Sequence, residues 1–171
     1  MAAIDNIKKW AEDGTELGVI SWNELPEINL YMDQVISLLT EKLSFFAADE
    51  EDKLLTKSMI NNYVKSGLIS HPEKKKYNKE QLSQLIVISM LKQVLSIPDL
   101  NILLEGASDS RGFYEIFERT QTEAMNDVGA QLRFAVENGD NMKLLALKLA
   151  AEANAKRAAA EKILHEIGNE N

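Results

Sequence analysis

Two short runs hold the side chains best suited to chemistry in this chain. In the first, Lys57, Ser58, Asn61, Asn62 and Lys65 are spaced to fall on one side of a helix. The second, close behind it, contains His71, Lys74, Lys75 and Lys76. Asparagine amides can hydrogen-bond base edges, adenine being their usual partner. A serine hydroxyl can reach a base or a phosphate, and lysines neutralise phosphates. The chemistry on offer is non-covalent recognition of double-stranded DNA. The bland alternative is a solvated, solubilising face.

Covalent and metal chemistry find little support. The chain has no cysteine, so disulfides, thiolate nucleophiles and zinc–thiolate sites are excluded. There is no Gly-rich phosphate loop, no G-x-S-x-G and no H-E-x-x-H. His71 suits a phosphate contact or plain exposure, and His165 sits near a helix C-terminus, where a cation is favoured. Neither histidine has a second one placed to share a metal. We expect no enzyme activity, no cofactor and no metal.

Charge is unevenly spread over the 171 residues. Between Lys53 and Lys79, seven lysines against Glu73 alone give +6, so a net −8 leaves −14 for the remainder. That balance opposes non-specific nucleic-acid binding by the whole molecule and confines it to one island. The 45% apolar content is that of a folded protein. No apolar run approaches the ~20 residues that span a bilayer. MAAIDNIKKWAEDG has no signal-peptide core, so a cytoplasmic location without membrane association is expected.

The elements that must position the two runs follow from periodicity and caps. Ile4, Ile7 and Trp10 mark an N-terminal amphipathic helix that Gly14 and Gly18 are expected to break. Trp22 is read as a core anchor in the following connection. A helix is expected from about Asn29 to Leu43, after which Phe45 and Phe46 tuck onto the core and Asp49 to Asp52 form an acidic surface loop or the start of a turn. Thr56 caps a short helix whose inward stripe is Ile60, Tyr63 and Val64, with Met59 at its edge. Gly67 stops that helix in a left-handed conformation, and Leu68 makes the contact of a Schellman motif. Leu68–Ile69 and Lys75–Tyr77 are expected to pair as a small hairpin through Pro72. Asn78 and Gln81 form a capping box for an apolar helix to about Val94, the spine of the core. Ser96 opens a further helix with Pro98 in its first turn and Asp99 at N3. Two long helices follow, from Arg111 to about Asn138 and from a cap at Asp140 to about Ile167. The second carries a narrow stripe of Leu144, Leu147, Ala151, Ala155, Ala158, Lys162 and His165. A connection this short implies an antiparallel hairpin.

This order is similar to the winged helix-turn-helix domain of MerR-like transcription regulators over about Leu30 to Leu104. Ile60 to Lys65 with Gly67–Leu68 correspond to that family's L-R-Y-Y-E-x-x-G-L run, Tyr77 closes the wing, and Leu95 to Leu100 resemble the entry to its fourth helix. From Leu25 onward the chain also resembles a bacterial family catalogued as domain of unknown function 1836, through LPEINLYMDQV, LTKSMINNYVKSGLI and KKKYNKEQL. The resemblance implies a mainly α, winged helix-turn-helix fold with a two-stranded wing and a C-terminal antiparallel helical hairpin. Three departures stand out. Asn61 replaces the usual arginine, about ten residues from Ser44 to Leu54 are inserted between the first two helices, and the absence of cysteine excludes thiolate metal sensing.

The expected organisation is an N-terminal helix and connection over 1–28, a MerR-like domain over 29–106 and the hairpin over 107–171. The expected function is that of a homodimeric DNA-binding transcriptional regulator. Helix 56–66 would read bases, wing 68–77 would contact phosphates, and an effector, small molecule or protein, is compatible with it. The alternative is a protein-interaction module on a winged-helix scaffold that no longer binds DNA.

Overall fold

The computed structural model describes residues 2–47 and 54–170. Lys53 and the acidic run Asp49 to Asp52 lie outside the described residues. The described chain is mainly helical: α1 (Ala2–Leu17), β1 (Leu30–Tyr31), α2 (Met32–Lys42), α3 (Lys57–Lys65), β2 (Lys76–Tyr77), α4 (Lys79–Leu91), α5 (Ile97–Leu104), α6 (Ser110–Glu137) and α7 (Met142–Asn169).

The core is built around α4. Leu82, Leu85, Ile86, Val87, Ile88 and Met90 are all buried, so this helix is wrapped on every side, as its uninterrupted apolar content requires. It ends at Leu91, a turn earlier than the sequence pattern extends. Val35 and Leu39 from α2, Ile60 and Tyr63 from α3, Leu100 from α5 and Tyr114 from α6 close around it. Trp22 is only partly buried, in a 3-10 turn, and Leu25 takes the buried place expected for it.

The sheet differs from expectation. Leu68–Ile69 do not form a strand. Instead β1 and β2 pair antiparallel, Leu30 opposite Tyr77 and Tyr31 opposite Lys76. Leu30 and Tyr77 face the core, whereas Tyr31 lies exposed with the Lys76 ammonium 4.8 Å from its ring centre. The expected helix from Asn29 therefore starts only at Met32, because Leu30 and Tyr31 are drawn into strand pairing. Leu68 and Ile69 are buried as loop, both amides donating to the Tyr63 carbonyl.

The N-terminal helix is not broken at Gly14. It runs through to Leu17 and packs along α6. A Cβ on Gly14 would stand 2.6 Å from Met125 Cε and 2.8 Å from Phe45 Cζ, so glycine serves close approach here rather than termination. Phe45 accordingly stacks on Trp10, with ring centres 5.4 Å apart, while Phe46 packs on the core.

The two long helices are less of a hairpin than their lengths imply. α7 is capped by Asn141, whose Oδ1 accepts from the Lys143 and Leu144 amides, and not by Asp140. Asp140 instead donates its own amide to the Ala135 carbonyl and finishes the stop of α6. Along its whole length α7 buries only Leu164, and its C-terminal end rests on α5, where His165 Nε2 lies 3.3 Å from Asp99 Oδ1. Leu144 and Leu147, the large apolar members of the expected stripe, are exposed.

Candidate nucleic-acid interface

α3 is held by signals within a few residues of its ends. Thr56 Oγ1 accepts from the Met59 amide at 3.2 Å. At the other end Gly67 adopts φ +76, Leu68 N donates to Tyr63 O at 2.9 Å and Gly67 N to Val64 O at 3.1 Å, a Schellman stop. Ile60 and Tyr63 are buried, which turns Lys57, Ser58, Asn61, Asn62 and Lys65 outward. Burial raises the Tyr63 and Tyr77 phenols above their ordinary value, so both stay neutral at physiological pH.

The loop after α3 is fixed to α4 by Gln81, which is buried. Its Oε1 accepts from the Asn78 amide at 2.9 Å, completing the capping box. Its Nε2 donates to the Ser70 carbonyl at 2.9 Å and the Ser70 hydroxyl at 3.1 Å. One side chain thus caps the core helix and anchors the loop that carries the lysines. The segment before α3 is tied down in a similar way, Lys92 Nζ donating to the Leu54 carbonyl at 2.6 Å.

At the tip, Lys76 N donates to Glu73 O at 2.9 Å and closes a tight turn. Its two central residues, Lys74 and Lys75, have φ +49 and +65. Both central angles are positive, the pattern that asparagine and glycine favour, and placing two lysines there costs backbone energy. The turn holds both side chains exposed.

Asn61 and Lys65 of α3 and His71 and Lys75 of the loop line a single concavity of about 410 Å³, floored by Met32, Val64, Pro72 and Tyr77. Lys57, Ser58, Asn62, Lys74 and Lys76 lie outside its lining. Lys57 is turned toward Asp33 at 2.6 Å and Lys76 over Tyr31. Among the described residues Lys65, Lys74 and Lys75 form no ion pair. Sequence reasoning missed Tyr31 and Asp33 as neighbours of the lysines. The alternation of buried Leu30 with exposed Tyr31 was the available signal, but two residues are too few to establish a period.

The described chain is thus a mainly helical protein with one two-stranded antiparallel sheet and a basic, asparagine-bearing concavity between a short helix and a turn. Residues 20–127 match the model of the family described as Domain of unknown function (DUF1836), and the chain belongs to that family. The match begins before Leu25 and leaves out α1, the end of α6 and all of α7. No curated protein and no solved structure matches the chain. Among the described residues no helix is long and apolar enough to cross a membrane.

Proposed function

We propose that the chain is a DNA-binding transcriptional regulator with a MerR-like winged helix-turn-helix core, α3 reading base edges and the segment 68–77 acting as its wing. The observation that supports this best is the convergence of Asn61, Lys65, His71 and Lys75 on one concavity beside an exposed Lys74. The exposed Asn61 and Asn62 supply amides that can hydrogen-bond base edges, and the lysines supply phosphate contacts. The reading includes a homodimer that sets two copies of α3 one DNA turn apart, ~34 Å. Exposed Phe134, Leu144 and Leu147 flank the α6–α7 connection and suit that role. With about six lysines per dimer on phosphate, log affinity against log salt falls with a slope near −5. Fluorescence anisotropy with pooled genomic fragments at ~50 mM salt tests the reading. Absence of binding by a folded dimer would overturn it.

One observation favours a protein-interaction module instead. Lys57, at the entry of α3, is paired with Asp33, so one expected phosphate contact is already engaged. Changing Lys74, Lys75 and Lys76 together to Glu separates the readings. Lost DNA binding supports the regulator, whereas a partner that co-purifies without DNA supports the module.

A further inference from the structure

We propose that the groove between α1, α6 and α7 binds a small, uncharged, largely apolar molecule. Its volume of about 450 Å³ lies within the range of roughly 300–1,000 Å³ of small-molecule sites. Ile7 and Trp10 form one wall, Val128 and Leu132 the second, and Leu145 and Leu149 the third. Among the described residues no charged side chain lines it, although all three helices carry charges along their length. Complementarity therefore selects a neutral ligand, because an ion placed here would lose water without gaining a partner. Among the described lining residues the Asn6 amide can both donate and accept, whereas the Trp10 indole N–H can only donate. The ligand is an apolar body with one neutral polar end.

The walls are held apart before anything binds. Trp10 stacks on Phe45, which fixes the ring's plane while leaving it 44% exposed. α7 is anchored at its far end by Leu164 and the contact of His165 with Asp99, and its N-terminal half buries no residue of its own. The exposed Leu144 and Leu147 lie on a different side of α7 from Leu145 and Leu149, and it is that outer side that a second copy would meet. Every residue lining the groove falls outside 20–127, so the site belongs to helices that flank the matched family region. The inference does not depend on the DNA reading.

Trp22→Phe leaves Trp10 as the sole tryptophan. Titration of that variant with N-phenyl-1-naphthylamine, a neutral apolar fluorophore, should show saturable binding of a single probe per chain, with energy transfer from Trp10. Leu145→Glu, which places a charge in the groove, and Ala146→Phe, which fills it, should each weaken binding about tenfold or more. Leu147→Glu, on the outer side, should leave it unchanged. Circular dichroism of each variant verifies the helices. Absence of saturation, or equal binding by folded Leu145→Glu and Ala146→Phe, overturns the proposal. So does sedimentation showing a dimer that Leu145→Glu converts to monomer, since the groove would then be covered by a second copy.

Discussion

The Tyr114 hydroxyl of α6 donates a 2.7 Å hydrogen bond to the Ile20 carbonyl, joining the first of the two long helices to the connection that leaves α1. Tyr114 is 1% exposed, so the bond is made in a dry environment where neither partner has water as a substitute. Trp22 packs beside it, ring centres 6.0 Å apart. Tyr114→Phe should keep the packing, strand a buried carbonyl and cost about 1–3 kcal/mol in denaturant unfolding.

The same tyrosine gives a pH signature. Burial, then the negative charges of Glu118 and Glu24, push its phenol well above the ordinary value. The unfolded chain ionises at the usual tyrosine value of about 10, while the folded chain keeps the proton. The folded state then binds more protons, so stability is fully present below that value and falls as pH rises above it. Denaturant midpoints taken across the alkaline range should decline, and the decline should be shallower in Tyr114→Phe. Equal slopes in the two proteins would refute this assignment.

Gln81→Glu divides two roles of one side chain. Glutamate can still accept from the Asn78 amide and keep the capping box. It cannot donate to the Ser70 carbonyl and sets a negative group against that oxygen, while the Ser70 hydroxyl can turn to donate to it. A loss of about 1–3 kcal/mol is expected, with faster amide exchange concentrated in the loop 68–77. Exchange that increases uniformly over the chain would show that Gln81 does not act through that loop.

Lys74→Asn with Lys75→Gly should trade binding for stability. Asparagine and glycine adopt the left-handed backbone of this turn at lower cost, so the double variant should gain about 1 kcal/mol or more. It also removes two exposed cations. If the lysines contact DNA, the salt slope should become shallower by about 2 per chain. A variant both more stable and undiminished in DNA binding would remove the turn from the interface.

Ser89→Ala should stabilise the protein. Ser89 is fully buried in α4, and among the described residues its hydroxyl has no hydrogen-bond partner. Removing an unsatisfied buried hydroxyl relieves a cost of about 1–3 kcal/mol, and alanine is the better helix former. A lowered melting temperature would mean that the hydroxyl is satisfied in solution.

The sequence by itself determined the features whose causes lie within a few residues of one another. Thr56 over Met59, Asn78 with Gln81, Ser96 with Asp99 and the Gly67 stop are exchanges of neighbouring donors and acceptors, so residue types at fixed offsets were enough to place them. The apolar run of α4 announced its burial in the same way, and the outward set from Lys57 to Lys65 followed once Ile60 and Tyr63 were assigned inward. What joins distant parts was decided only by the tertiary structure. The pairing of Leu30 with Tyr77 involves strands of two residues, too short for a period to show. Gly14 carries the local signature of a breaker, yet Phe45 and Met125 need the space a side chain would take, and the helix continues. The bringing together of Asn61 with His71 and Lys75, and the docking of the C-terminal end of α7 on α5, depend on Gln81 holding the loop and on the burial of Leu164. Local hydrogen bonds are encoded by neighbours. The choice among distant apolar faces is made by the packing that buries most of them at once, and no single stretch contains it.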